Sequence, residues 1–396
     1  MRLKNNLIQK KNIKKYRFEN FGGIISSENP PLLAFVDRNF MREQEFGESP
    51  LWENDDKTIG ILTAPTEIHF AVTNKCSNNC PHCYMDAGEK TETEMDTGTF
   101  KKALDILSGL HVFHLALGGG EALEREDLFE IAAYTRKKGL VPNLTVSGSN
   151  ISPDIARKMN VFGQVNVSID GLDKNYGVFR GKDMFAIADK ALDFLIQAEV
   201  PTGINCVVGR SNFPQIPEIF RYAEEKKVNE IEFLRLKPSG RAGDIYLKEK
   251  TTLNQNKKLI PMLSRLSRKY KITAKIDCSF VPMLCYHHPP KKMLEKFGTY
   301  GCEAGNVLLG IRSNGIVSGC SFLNNENFNV FDLPNRIKQE NYFEDLRKIT
   351  EKAREPCASC KYLNICKAGC HAVSEFVTGD FYSPDPDCPF VKEFQE

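Results

Sequence analysis

From residue 66 onward the chain alternates between two hydrophobic rhythms. Short, mostly apolar runs fall at positions 67–73, 112–117, 142–147, 164–169, 202–208 and 230–236. Between them, apolar residues recur at helical spacing over 96–108, 125–138, 152–160, 184–199 and 214–227, the period of a helix with one face on a core. Asp96 and Ser152 stand where N-caps belong, because their side-chain oxygens can accept from the free amides of a first turn. Strands alternating with helices predict a parallel sheet, since a helical crossover returns the chain to begin each strand in the same direction. Six such units fall short of a closed eight-fold barrel. The expected fold is therefore α/β, an open partial (β/α)6 barrel over residues 66–248. In such folds chemistry gathers at the carboxyl ends of the strands.

The flanking segments read differently. Strand-like runs at 16–19, 23–27 and 32–37 are separated by Gly-Gly and Pro-Pro turns, which predicts a small β-rich extension over 1–65. Packing across the bottom of the barrel is the plainer role for it, and docking of a peptide is the alternative. Residues 249–274 read as a linker helix with lysines and arginines on its solvated face. Over 275–396 helical periodicity fades and cysteines crowd in.

Composition narrows the function classes. A chain of 396 residues can bury a large core in two or three domains. A net charge of +2 gives no general attraction to nucleic acid or to a membrane surface. No apolar run reaches the length of a membrane span, and residues 1–15 are polar and lysine-rich, unlike a signal peptide. A cytoplasmic protein is expected. Its thirteen cysteines then call for metal or iron–sulfur ligation, because reducing cytosol disfavours disulfides.

The first cluster of cysteines is Cys76-Ser-Asn-Asn-Cys80-Pro-His-Cys83, in a loop directly after the first strand. Three thiolates can hold three irons of a cubane and leave the fourth open to a substrate or cofactor. A zinc site would need a fourth ligand, from His69, His82 or elsewhere. The spacing resembles the C-x3-C-x-Φ-C signature of the radical S-adenosylmethionine (SAM) enzymes, with His82 at the aromatic position. That resemblance implies a [4Fe–4S] cluster on Cys76, Cys80 and Cys83 that binds SAM. It also implies roles for residues after later strands. Gly118-Gly119-Gly120-Glu121 resembles the family's Gly-Gly-Glu-Pro segment, with Ala122 in place of the proline. Gly119, Gly120 and Glu121 would then hold the methionine amino group. Ser168 and Arg180 match residues that bind the SAM carboxylate and ribose. Ser147-Gly148-Ser149-Asn150 follows the third strand with no role given. Asp170 is expected to shape a turn, and Arg235 to face the pocket or pair with an acid. Cys206, inside a strand, reads as structural.

The later cysteines are Cys302, Cys320, Cys357, Cys360, Cys366, Cys370 and Cys388. Cys302 and Cys320 flank Gly315, and the next four follow C-x2-C-x5-C-x3-C. Only one C-x2-C pair is present here, one fewer than a zinc ribbon needs. The order and spacing resemble the seven-cysteine SPASM pattern, which accompanies radical SAM domains that mature peptides. The resemblance implies two auxiliary [4Fe–4S] clusters. Cys357, Cys360, Cys366 and Cys388 would hold the distal one; Cys302, Cys320 and Cys370 would hold the nearer. Its fourth ligand would be Cys285 first, Cys278 second, or else an open iron that binds substrate.

The implied activity is reductive cleavage of SAM to a 5′-deoxyadenosyl radical, which modifies a side chain of a ribosomally made peptide or protein by crosslinking, thioether formation or oxidation. A low-potential donor such as flavodoxin or ferredoxin would supply the electron. Two alternatives stay open: radical chemistry on a small molecule such as a tetrapyrrole or quinone precursor, and a non-catalytic iron–sulfur electron carrier. Tyr286, His287 and His288 could accept a proton, although Pro289 and Pro290 make a surface loop the plainer reading.

Overall fold

The computed structural model describes residues 12–28, 31–53, 60–91, 93–323, 327–339 and 341–395. Residues 1–11, most of the lysine-rich stretch read for a targeting signal, lie outside them. Three antiparallel strands come first: β1 (Ile13–Glu19), β2 (Gly22–Glu28) and β3 (Pro31–Asp37), in the order β1-β2-β3. This small sheet sits at the amino-terminal end of the main sheet. Lys15 Nζ donates to the Val112 carbonyl at 2.6 Å, and the Arg17 guanidinium to those of Pro65 and Ala64 at 2.9 and 2.6 Å. Phe21, Ile24, Leu62 and Phe113 form a small apolar cluster there.

The main sheet comprises β4 (Glu67–Thr73), β5 (His114–Gly119), β6 (Val141–Val146), β7 (Val165–Ser168), β8 (Thr202–Val208), β9 (Glu230–Arg235), β10 (Thr273–Ile276), β11 (Leu308–Ile311), β12 (Ile316–Ser318) and β13 (Phe328–Asn329). Their spatial order is β10-β9-β8-β7-β6-β5-β4-β11-β12-β13. Every neighbouring pair from β10 to β11 is parallel, and β11-β12-β13 is antiparallel. The six expected strands are all present. The sheet continues by one parallel strand at each edge, drawn from segments read as linker and cysteine-rich tail.

Period-two burial explains where the core sits. In β9, Ile231 and Phe233 are fully buried, while Glu230, Glu232 and Leu234 are partly exposed and line the lumen. The buried set meets the apolar faces of crossover helices such as Thr97–Gly109, Phe185–Gln197 and Ile216–Glu225, which removes that surface from water. Both expected N-caps are made: Asp96 accepts from the Thr99 amide at 2.7 Å and Ser152 from the Ile155 amide at 3.3 Å. The helix Leu253–Tyr270 opens with a capping box of Thr252 and Gln255 and leads into β10.

Candidate active site

A cavity of about 2290 Å³ fills the lumen. Cys76, Cys80 and Cys83 line it from the loop after β4, all three partly exposed. That loop is held by backbone contacts that leave no room for side chains. The Gly120 amide donates to the Thr73 carbonyl and the Glu121 amide to that of Lys75, each at 2.8 Å. A Cβ on Gly119 would collide with the Thr73 carbonyl, and one on Gly120 with that of Lys75. Gly119 also has φ +117°, open to glycine alone at little strain. Gly118 has free space around its Cα.

Other segments clamp the loop from the far side. Arg241, after β9, donates to the Cys80 and Ala87 carbonyls at 3.1 and 2.8 Å and pairs with Asp86 at 2.7 Å. Ser239 donates to the Tyr84 carbonyl at 3.0 Å. Sequence reasoning assigned neither residue a role.

Glu121 is buried, 2% exposed. Its carboxylate accepts the Ser147 amide at 3.0 Å and the Ser147 hydroxyl. Burial still pushes its carboxyl above the usual range. Asn78, inside the cysteine loop, donates to Ser147 Oγ at 3.1 Å, so Ser147 ties the loop to Glu121. Ser168 and Arg180 both line the cavity. Arg180 Nε donates to Asp170 Oδ2 at 2.7 Å, and Nη1 lies 4.0 Å from Cys80 Sγ.

Asp170 does more than shape a turn. It is fully buried, accepts the Val207 amide at 2.7 Å and also meets His82 Nε2 at 3.2 Å. Burial works against its charge, but the Arg180 guanidinium and His82 prevail and hold the carboxyl at about 2. His82 also contacts the Phe179 carbonyl through Nδ1 at 3.1 Å. The aromatic position of the cysteine motif is thus pinned between β7 and the helix Lys174–Arg180.

The later cysteines fall into two groups. Cys302, Cys320 and Cys370 lie within electrostatic reach of one another and, with Cys278, line the same cavity as the first three. The order expected for the fourth thiol reverses here. Cys278, directly after β10, joins this group. Cys285 instead lines a separate small pocket with Cys357, Cys360, Cys366 and Cys388, and its free thiol is hydrogen-bonded with that of Cys366. The physical reason is the extra strand: β10 carries residue 278 into the lumen, and the helix Val281–Cys285 turns residue 285 away from it. Cys278 is open to the cavity, yet deep enough that burial pushes its thiol well up.

Burial pushes the thiols of Cys302, Cys320, Cys357 and Cys388 up to about 12. Thiols so reluctant to ionise would become thiolates only beside a strong positive centre. Among the described residues, no three His, Cys, Asp or Glu side chains are arranged to hold a single metal ion. Zinc would need its ligands about 2.0–2.3 Å from one point; a cluster offers each sulfur its own iron. Lys237 lies near Cys278 and Cys370, paired with Asp277. Tyr84 stands between the first and second groups, within electrostatic reach of Cys83 and Cys320, its ring 4.8 Å from that of Phe322.

Arg235 pairs with acids. It donates to Asp385 at 2.6 and 2.9 Å and to Asp387 at 2.9 Å, all three side chains buried. Asp385 also accepts the Cys370 amide at 2.9 Å. Cys206 is buried in β8. Tyr286 bonds Glu393 at 2.8 Å and packs on Phe390, away from the cavity lining.

Residues 70–223 match the family model described as the radical SAM superfamily. That stretch, with the first cysteine loop inside it, is what is similar to the superfamily. The mycofactocin maturase MftC of Mycolicibacterium smegmatis is 28% identical over 346 residues, spanning 83% of this chain and 83% of that protein. The Fe-coproporphyrin III synthase of Methanosarcina barkeri is also 28% identical, over 352 residues, spanning 82% of this chain and 88% of the relative. The crystal structure of Streptococcus suis SuiB bound to precursor peptide SuiA superposes with TM-score 0.76 over 96% of this chain and 98% of that one, at 17% identity. At that identity the likeness speaks for the fold alone. No helix among the described residues is long and apolar enough to cross a membrane.

Proposed function

We propose that this enzyme cleaves SAM at the Cys76–Cys83 loop and modifies a side chain of a ribosomally made peptide or protein. The observation that carries this reading is the shared cavity: three thiols of one loop and four more from distant segments line a single space. When bound, the cluster and SAM supply the electron transfer and the 5′-deoxyadenosyl radical that removes hydrogen from a substrate. Cys76, Cys80 and Cys83 would hold that cluster. The Gly119–Gly120 backbone and Glu121 would take the methionine ammonium, with Ser147 orienting the carboxylate. Ser168 and Arg180 would meet the SAM carboxylate and ribose, and Asp170 would keep Arg180 extended toward Cys80.

Two auxiliary clusters complete the proposal. Cys278, Cys302, Cys320 and Cys370 would hold the nearer, leaving it no open iron; Cys357, Cys360, Cys366 and Cys388 would hold the distal one. By function we divide the chain into the extension (1–65), the barrel (66–248), the linker helix (249–274) and the cluster-bearing segment (275–396), with β10 and β11 lent back to the barrel sheet. The electron would come from a low-potential donor such as flavodoxin or ferredoxin.

The maturase relative supports a peptide substrate, and the shared fold is one that holds a precursor peptide in the SuiB structure. A second reading, chemistry on a tetrapyrrole, has the coproporphyrin synthase relative in its favour. The test is anaerobic reconstitution followed by SAM and dithionite. About twelve irons per chain and release of 5′-deoxyadenosine are expected; no 5′-deoxyadenosine would overturn the reading.

A further inference from the structure

The carboxylates that line the lumen can be matched one by one. Glu67 meets His69 at 3.2 Å, and Glu121 takes Ser147. Asp170 pairs with Arg180 at 2.7 Å, and Glu230 with Lys275 at 2.8 Å. Asp277 holds Lys237, and Glu303 holds Lys367. Glu295 stands exposed at the rim. Glu232 alone is shielded and makes neither an ion pair nor a hydrogen bond among the described residues, Lys275 and His69 acting on it only at longer range.

Its position makes that isolation meaningful. Glu232 is central in β9 and faces the cavity. In register it pairs with Asn205 of β8, which pairs with Ser168 of β7, so it shares a rung with a residue assigned above to SAM. Lys275 is its register partner on β10, yet the Lys275 ammonium goes to Glu230. His69, across the lumen on β4, is engaged by Glu67. Burial and the nearby Asp277 raise the Glu232 carboxyl above its usual range. An unpaired carboxylate in a shielded site is costly until a cation arrives.

We infer that Glu232 is the substrate-selecting residue of the cavity, where it receives a cationic side chain, lysine or arginine, of the peptide. This rests on the peptide reading above and names the feature the peptide must carry. The ammonium or guanidinium would complete the lumen's charge pairing and, through the shared rung, set the neighbouring residue beside SAM. An uncharged side chain of equal length would fill the same space and leave the carboxylate unpaired, so discrimination falls on charge rather than size.

The test uses the full chain, reconstituted anaerobically with SAM present. Four capped pentapeptides, Ala-Ala-Xaa-Ala-Ala with Xaa lysine, arginine, norleucine or glutamate, are titrated calorimetrically. The wild type should bind the lysine or arginine peptide about tenfold tighter than the norleucine peptide. Glu232→Gln should bring that ratio to within about twofold, and Glu232→Lys should make the glutamate peptide the tightest. Equal binding of lysine and norleucine peptides to the wild type would overturn the inference, and needs no variant to fold. So would tightest binding of the glutamate peptide, or a lysine preference that survives in Glu232→Gln. Release of 5′-deoxyadenosine by the same wild-type preparation is read separately. If it is absent, the proposed function fails; if it is present without a cation preference, only the role of Glu232 fails.

Discussion

Gly120 leaves no room for a side chain, because its Cα lies against the Lys75 carbonyl, one residue before Cys76. A methyl group there must push the cysteine loop away from β5. Gly120→Ala is therefore expected to lose about four of the irons taken up on reconstitution, those of one cubane, while Gly118→Ala, with nothing within 4 Å of its Cβ, keeps them. Iron and sulfide analysis of the two variants decides it; equal iron in both would sink the argument. The same measurement separates two thiols. Cys278→Ala should perturb the cluster of the nearer group, seen as altered iron content or electron paramagnetic resonance signal. Cys285→Ala should leave the iron content intact, because Cys285 is a fifth thiol in a group that already has four. The cysteines were legible from spacing, since ligands on one short loop are close in sequence as well as in space. Arg241 and Cys80 are 161 residues apart, and Ser147 and Asn78 are 69 apart. Only the folded sheet brings such pairs together. A serine after a strand carries no mark of that partnership.

At the scale of elements, the end of β9 joins the barrel to the last cysteines. Arg235 there is buried against Asp385 and Asp387, and Asp387 also accepts Tyr246 Oη at 2.7 Å and Lys250 Nζ at 2.6 Å. Removing the guanidinium leaves two carboxylates buried without their main partner. Arg235→Met is therefore expected to destabilise the chain by about 3–5 kcal/mol, measured as a shift in anaerobic denaturant midpoint. Arg235 and Lys250 outweigh burial and hold the Asp387 carboxyl at about 2, below its ordinary value. A depressed carboxyl contributes stability in full above its unfolded pKa, near 3.9, and loses it as pH falls toward the folded value. The gap between wild type and Arg235→Met should therefore narrow as pH drops from about 5 toward 2; a constant gap would assign the loss to packing instead. Long elements announced themselves in the sequence. The bounds of β4 and β8 emerge as read, because each seven-residue run holds three Val, Ile or Phe residues and a Thr, a clear strand signal. β10 and β11 have four residues each, too few to show alternation. Their place at the sheet edges is decided by partners more than thirty residues away.

For the whole molecule, the question is whether the three thiol groups are one structure or three. The first hangs from the loop after β4, clamped by Gly119, Gly120, Arg241 and Asn78. The second draws Cys278 from the end of β10, Cys302 from the segment before β11, Cys320 from that after β12, and Cys370 from the start of the helix His371–Thr378. Cys370 is held to the barrel through Asp385 and Arg235. The third gathers around its own apolar cluster of Val281, Leu294, Tyr362 and Ile365. Among the described residues, no contact of the first loop carries the scaffold of the other two; Tyr84 on Phe322 is a side-chain neighbour, and Phe322 is covered from elsewhere by Lys237, 4.4 Å from its ring centroid. Replacing Cys76, Cys80 and Cys83 together by alanine should thus remove about four irons and all SAM cleavage, while about eight irons remain. Circular dichroism should stay that of the parent. If the triple variant binds as much iron as the wild type, the loop holds no cluster. If it binds none, the later groups depend on the first, and the independence argued from their separate anchors is wrong.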